Sequence, residues 1–369
     1  MDFDFTDEQQ MLRQTVERFV ADRYDFDARR KILAQEPGWS RAIWSELAEL
    51  GLTALLVPEA QGGLGGSPVD ALVALEPLGK GLVLEPVLAS AIVSATLIEA
   101  AGDEAATAAL LPDLASGERI FAPALFERAA RYDLSSPGTR ARRQGAGYAL
   151  DGAKTAMCGG GAADAFLVSA RLDDGLALFA VAADTPGLIV QRERGYDGTP
   201  VASLLIDDVK LGADARIGAD ATSALARARD VAVAGLAAEA VGVMRQSVAL
   251  TSDYLKTRQQ FGRPIGSFQA LQHACVDMFV ASEEAYSAAL LAAARCLDPD
   301  ARTRARAVAA AKATINRCAR LVGQKAIQLH GGVGMTDEYA VSHYFRRLTA
   351  IERLFGDTDY WLKEYARAA

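Results

Sequence analysis

The chain has 369 residues, 51% hydrophobic and 23% charged, with a formal net charge of -8. That length and balance describe a globular chain of roughly two or three domains and exclude a disordered one. The acidic balance argues against nucleic-acid binding through a basic surface.

The first stretch, MDFDFTDEQQ, is acidic and lacks the basic n-region of a secretory leader, so none is expected. From about residue 6 to 120 the pattern is helical. Thr6 followed by Glu8 and Gln9 marks a helix start, and Leu12, Val16, Phe19 and Val20 form an apolar face. Trp44, Leu47, Leu50 and Leu52 continue it. PEAQGGLGGSP at 58–68 is dense in turn formers and reads as a loop. Residues 70–83 and 84–101 read as two more helices, the first weakened by Pro77 and Gly79. The most apolar stretch, 72–98, is interrupted by Glu76, Lys80 and Glu85 and does not read as membrane-spanning.

From Phe121 to about Ile217 the runs become short and β-like, at 148–150, 165–170, 176–181, 187–190 and 202–206. Closely spaced turn residues between them suggest an antiparallel barrel or sandwich. From about Ala219 onward the pattern is helical again, including the Ala/Arg-rich run 301–317. Cys158, Cys275, Cys296 and Cys318 show no metal-ligand spacing, so no metal site is expected. The last three sit in helical patterns and read as buried thiols, which fits a reducing, cytoplasmic compartment.

Two breaks in the last helical region carry chemistry. At 254–269, YLKTRQQFGRPIGSFQ, a helix ends, a Phe-Gly and an Arg-Pro follow, and an apolar-periodic helix resumes at Ile265. Arg258 there, beside side-chain amides and an aromatic, suits a nucleotide diphosphate, because guanidinium forks onto phosphate oxygens. An ordinary helix–helix corner with a surface arginine fits equally. At 328–335, QLHGGVGM, adjacent glycines let a backbone approach a ligand closely, and they also stop a helix.

Together, R-x-x-FG-x-P-x-x-x-FQ and Q-x-x-GG-x-G resemble the C-terminal domain of the acyl-CoA dehydrogenase flavoprotein family. In that family both motifs contact the adenosine diphosphate part of FAD held by the neighbouring subunit. The resemblance implies FAD as cofactor, with contacts from Arg258, Gln260, Phe261, Phe268, Gln328, Gly331, Gly332 and Thr358. It implies an acyl-CoA substrate and an electron-transfer flavoprotein as acceptor, with no nucleic acid and no membrane insertion. It also implies an α+β fold: an N-terminal helical domain at 1–120, a middle β-barrel or sandwich at 121–218, and a C-terminal four-helix bundle at 219–369 that makes the subunit interface. The 58–68 loop is similar to a family loop near the active site, though a plain loop fits as well.

The reaction that the resemblance implies needs a buried carboxylate to take the α-proton of a thioester. In the family it lies in Tyr-Glu-Gly-Thr near the C-terminus. Here the run is Leu354-Phe-Gly-Asp-Thr, which puts Gly356 at the glutamate and leaves Asp357 as the nearest acid. The upstream register can run through Arg346 or Arg347, and neither brings Asp357 onto the base position. The family's second location for the base falls on Ala232, with Asp230 and Glu239 nearest. The middle domain departs too. Phe126-Glu-Arg and Arg131-Tyr-Asp stand where Thr-Glu-Pro and Gly-Ser-Asp are usual. Ala156-Met-Cys-Gly-Gly stands where an aromatic and a threonine face the flavin. Gly152-Ala-Lys154 keeps a family hairpin and is read as structural. Segments given to a neighbour's FAD are thus intact, and segments serving the chain's own flavin and base are eroded. That pattern, with GMTDEYAVSHYFRRL and LFGDTD, is similar to the small-subunit type of heteromeric acyl-CoA dehydrogenases of pimeloyl-CoA or steroid catabolism, which implies a second dehydrogenase chain. A self-sufficient enzyme with a displaced base, Asp357, and a non-catalytic binding subunit remain the alternatives.

Overall fold

The structure, a computed structural model, describes residues 5–173 and 175–368, so the first four residues of the acidic N-terminal stretch lie outside the described residues. The N-terminal helices are α1 (Asp7–Arg23), α2 (Phe26–Leu33), α3 (Arg41–Glu49), α4 (Pro68–Gly81), α5 (Ala95–Ala100) and α6 (Glu104–Ala115). Strands β1 (Phe121–Ala124), β2 (Arg140–Gln144), β3 (Gly147–Cys158), β4 (Ala165–Leu172), β5 (Gly175–Ala182), β6 (Leu188–Arg194), β7 (Pro200–Leu211) and β8 (Arg216–Ile217) follow. The rest is helical, starting with α7 (Thr222–Thr257). Two compact units result: Met1–Arg30, Pro68–Val83 and Val233–Ala369 form one, Lys31–Ser67 and Leu84–Ala232 the other.

In the first unit, Thr6 caps α1 as its sequence predicts. Its hydroxyl accepts from the Gln9 N–H, and the Gln9 side chain accepts from the Thr6 N–H. Val16, Phe19 and Val20 are buried while α1 packs along α4. Helix α4 runs through both Pro77 and Gly79. The reason is tertiary. A Cβ on Gly79 would lie 2.3 Å from the Glu239 carbonyl oxygen of α7, and one on Gly242 would lie 1.9 Å from that of Glu76. Two glycines therefore let two helix backbones touch, and that contact outweighs their poor helix propensity. Helix α7 is long and apolar enough to cross a membrane, yet 83% of that window is buried inside the protein.

In the second unit one eight-stranded sheet runs β6-β7-β3-β2-β4-β5-β8, with β1 beside β4. The sequence reading of an antiparallel sheet needs one correction: β4 pairs parallel with β1 and with β2. Leu150, Phe166, Val168, Phe179, Leu204 and Val209 form the centre of its core. Residues 84–101, read as one helix, form a π-helix at Leu88–Ser94 that runs into α5. The Ser90 hydroxyl accepts from the Phe121 N–H at 3.1 Å and fixes this segment to the first strand.

Candidate functional site

Both motif breaks lie in the first unit. Helix α7 stops at Thr257, and the chain forms a two-stranded hairpin, β9 (Gln259–Gln260) with β10 (Arg263–Pro264). Its turn residues, Phe261 and Gly262, have φ of 54° and 76°. Two left-handed residues in sequence match the right-handed twist of a tight hairpin, at a cost in strain for Phe261. The Ile265 N–H donates to the Arg258 carbonyl at 2.8 Å and closes the loop. Ile265–Ser267 is a single 3-10 turn, and α8 (Gln269–Arg295) starts at Gln269. The helix expected from Ile265 therefore starts four residues later, because the 3-10 turn and the extended Phe268 take up the intervening backbone. Phe261 is 90% exposed and stands edge-on to Phe268, with ring centroids 6.0 Å apart. The Arg263 guanidinium lies 4.2 Å over the Phe268 ring. The Gln260 amide donates to the Gln259 carbonyl. Arg258 is exposed, and among the described residues no carboxylate pairs with it.

The second break follows α9 (Ala301–His330). Gly331, with φ of 63°, ends that helix. The His330 ring stacks on Tyr254 with centroids 4.5 Å apart, and Tyr339 lies 5.1 Å from His330 and 6.1 Å from Tyr254. This aromatic cluster, which the sequence reading missed, ties the Arg258 segment to the Gly331 segment. Burial holds the His330 pKa below its ordinary value, and Nδ1–H donates to the Ala326 carbonyl at 2.8 Å. Gln328, Gly331 and Gly332 are exposed. A Cβ on Gly334 would come within 2.9 Å of the His330 Cβ, so packing requires that glycine. Gly332 differs: its backbone is not left-handed, and a Cβ there would meet nothing within 4 Å. Nothing among the described residues requires glycine at 332. An exposed guanidinium on one break and bare backbone on the other, linked through Tyr254 and His330, fit the diphosphate end of a dinucleotide.

The carboxylate positions lie elsewhere in the same unit. Residues 354–357 connect α10 (Ala340–Arg353) to α11 (Thr358–Arg367). Phe355 and Gly356 have φ of 57° and 124°. A Cβ on Gly356 would stand 2.4 Å from Trp361 Nε1 and 2.6 Å from Tyr360 Cδ1. Trp361 is 1% exposed, and its Nε1 donates to the Phe355 carbonyl at 3.0 Å. At 356, the position that the resemblance sets at the family's glutamate, the space for a first side-chain carbon is filled. Asp357 caps α11, accepting from the Tyr360 N–H at 2.9 Å. Asp357 and Thr358 line a cleft of about 890 Å³ with Arg317, Arg320, Gln324 and Arg353. Glu239 is buried and held by both arms of buried Arg347, at 2.6 and 2.8 Å. Arg346 pairs instead with Asp337. In the other unit, Asp230 is buried against Arg229 at 2.9 Å, and Ala232 is fully buried.

The flavin-facing stretch of the family falls in the second unit. Ala156 is exposed, with φ of 50°, and Cys158 is half-buried. A Cβ on Gly159 would come 2.8 Å from the Cβ atoms of Ala89 and Pro86, so this turn is closed by packing. Lys154 is a structural cation: fully buried, it donates to Glu127 at 2.7 Å and to Ser169 at 3.0 Å. Glu127 also accepts from the Gly138 and Thr139 N–H groups and from the Thr139 hydroxyl. Burial pushes Lys154 down to about 8 against the pull of Glu127. Burial works to raise the Glu127 pKa, but Lys154 and Thr139 outweigh it and hold the carboxyl low. All four cysteines are free thiols; Cys296 and Cys318 are buried as expected, but Cys275 is only half-buried because α8 turns that face outward.

Family comparisons cover the whole of this architecture. The acyl-CoA dehydrogenase N-terminal, middle and C-terminal domain models match residues 6–118, 122–209 and 221–369. Acyl-CoA dehydrogenase FadE27 of Mycobacterium tuberculosis is 28% identical, over 100% of this chain and 98% of its own length. Acyl-CoA dehydrogenase IpdE2 of the same organism is 31% identical, over 92% of this chain and 91% of its own. Among solved structures, the ChsE4-ChsE5 complex from Mycobacterium tuberculosis superposes with a TM-score of 0.90 at 28% identity, covering 100% of this chain and 98% of that one. Butyryl-CoA dehydrogenase from Megasphaera elsdenii gives 0.89 at 27% identity, covering 100% and 99%. With helices, sheet and helices each matched in order, the chain belongs to the acyl-CoA dehydrogenase family of FAD-dependent oxidoreductases.

Proposed function

We propose that this chain is the smaller, non-equivalent subunit of a heteromeric acyl-CoA dehydrogenase, with domains bounded near residues 120 and 218. The observation that carries this reading is position 356. A base for the α-proton has to reach the substrate carbon from there, and the chain has a glycine packed against Trp361. The nearest acid, Asp357, is engaged as a helix cap. When bound, the flavin supplies the hydride acceptor for α,β-oxidation of the acyl-CoA thioester. On this reading the second dehydrogenase chain supplies the carboxylate, and an electron-transfer flavoprotein takes the electrons. The similarity to a chain of the ChsE4-ChsE5 complex supports a two-chain assembly. The four free thiols fit a reducing compartment such as the cytoplasm.

This chain's own part is to hold the partner's cofactor. Arg258 would fork onto the diphosphate, Gln260 and Gln328 would add amide contacts, and Phe261 and Phe268 would provide apolar cover. Gly331 and Gly332 would let backbone approach, and Thr358 would contact the cofactor from the cleft. A hydrogen bond to a charged group contributes ~1.5–3 kcal/mol, so Arg258→Ala should weaken FAD retention by roughly 10- to 100-fold in the assembled complex. Arg258→Lys should recover only part, having no fork. The test is flavin stoichiometry and acyl-CoA oxidation for the chain alone and co-purified with a second dehydrogenase chain. Full FAD occupancy and turnover by the isolated chain would establish the self-sufficient reading. A complex whose flavin content ignores Arg258→Ala would make the corner purely structural.

A further inference from the structure

Lys312 lies on α9 with its side chain fully buried. An ammonium out of water is costly unless its charge and donors are used. Its Nζ donates to Asn316 Oδ1 at 2.6 Å and to the Ile351 carbonyl at 2.8 Å. Ile351 sits in the last turn of α10, where carbonyls lack helical partners and a cation is favoured. Asn316 passes the contact on: its Nδ2 donates to the Gly356 carbonyl at 3.3 Å. The Glu352 and Asp357 carboxylates attract the ammonium, from α10 and from the loop. Arg320 pairs with Glu352, and Arg353 stands 4.0 Å from Asp357. On the α11 side, Trp361 Nε1 holds the Phe355 carbonyl. Each backbone carbonyl at 351, 355 and 356 thus has a buried side-chain donor. Together these fix two successive residues at positive φ, a conformation that persists only where the surroundings over-determine it.

We propose that Lys312 and Asn316 are positioning residues: they hold loop 354–357 in its left-handed path and so set where Thr358 stands at the cleft. The proposal rests on the reading that Thr358 contacts the cofactor. Neither residue touches the cleft itself. Both act through the Gly356 carbonyl and the start of α11.

The informative variant is Asn316→Asp. It keeps the acceptor for Lys312 and the shape of the side chain, and replaces the donor to Gly356 with a carboxylate oxygen whose added charge faces the Lys312 ammonium. Lys312→Met is the companion, and Asn316→Asp decides the matter where Lys312→Met does not fold. Hydrogen exchange in the holo complex should be about tenfold faster over 354–361 in Asn316→Asp, with 233–257 unchanged. FAD affinity should fall about tenfold in Asn316→Asp and in Thr358→Ala, and the double variant should be no weaker than Thr358→Ala alone. An additive loss in the double variant would overturn the proposal, since the clasp would then act on the fold at large. Unchanged exchange over 354–361 would overturn it too. If Thr358→Ala leaves FAD affinity intact, the cofactor role of Thr358 fails, and local exchange alone still decides whether the clasp positions the loop.

Discussion

Gly356→Ala adds one methyl group where the structure has no room for it. The new Cβ would lie 2.4 Å from Trp361 Nε1, 2.6 Å from Tyr360 Cδ1 and 3.0 Å from Trp361 Cδ1. The indole cannot swing aside freely, because it is 1% exposed and bonded to the Phe355 carbonyl. Two costs add. An L-residue at φ of 124° is strained by ~1–3 kcal/mol, and overpacking a filled site costs ~1–3 kcal/mol. The sum centres on about 4 kcal/mol, which in a unit of this size lowers the melting temperature by about 10 °C. Gly262→Ala is the control. Its φ is 76° and a Cβ there meets nothing within 4 Å, so it carries strain alone. Thermal unfolding of both variants in the same buffer separates the clash from the strain. If Gly356→Ala melts no lower than Gly262→Ala, Trp361 yields freely and the argument that position 356 is sealed is wrong. Gly356→Glu should inherit the full cost and still give the isolated chain no acyl-CoA oxidation.

Three further outcomes follow from charges already placed. Asp357→Asn keeps a good N-cap acceptor and should leave stability within about 0.5 kcal/mol, whereas Asp357→Ala should lose about 1 kcal/mol. On the two-chain reading Asp357→Asn also leaves turnover of the complex substantially intact, and its abolition would make Asp357 the base. Glu127→Gln strands the buried Lys154 ammonium and should cost ~3–5 kcal/mol by chemical denaturation at pH 7. Because folding lowers the Glu127 pKa, its stabilisation is present above the unfolded value and lost as pH falls through the folded one, so Glu127→Gln should flatten the acid limb of stability. Burial holds Lys312 at about 7 when folded, against an ordinary 10.5. The unfolded chain then binds the extra proton between those values, so stability should rise with pH there by about 1 kcal/mol per unit from this group, and Lys312→Met should remove that slope. An unchanged slope would mean that the contacts hold Lys312 protonated in the folded chain and that burial does not lower its pKa.

Some of this molecule could be read from its residues, and the rest could not, for physical reasons. Thr6, Glu8 and Gln9 announce a helix start because capping is local, and the structure forms the reciprocal cap at that place. The short runs of 148–206 likewise fall on strands, since brief apolar stretches closely bounded by turn residues are too short for helices. The parallel partners of β4 were not legible, because which strands pair is decided by the path of the connections. Pro77 and Gly79 misled in the other direction: they look like helix breakers, yet α4 runs through both, and the α4–α7 crossing explains the glycine. At the site, Arg258 and Gly332 stood out by motif. His330 and Tyr254 did not, since the aromatic cluster joins residues far apart in sequence. Lys312 lies in the Ala/Arg-rich run 301–317 with nothing local to mark it, and its contacts come from elements that meet only in the fold.

The intact corner and the sealed loop are mechanically separate, and that separation makes the two-chain reading physically coherent. The corner is built by the hairpin at 259–264 and by the Tyr254, His330 and Tyr339 rings. The loop is built by Lys312, Asn316 and Trp361. Both use α9, but at different places: His330 is its last residue, while Lys312 and Asn316 lie near its middle. At 1.5 Å per residue, fourteen positions from Asn316 to His330 span roughly 20 Å of helix. Over that distance, changes at sites with no shared partners usually add independently. On the two-chain reading, a chain can therefore lack a glutamate at 356, with Trp361 filling the space, without loosening the guanidinium and glycines proposed to serve a neighbour's cofactor. Had the two sites shared a side chain, erosion of one would have degraded the other, and a subunit that gives contacts without supplying a base would have been unstable as a design.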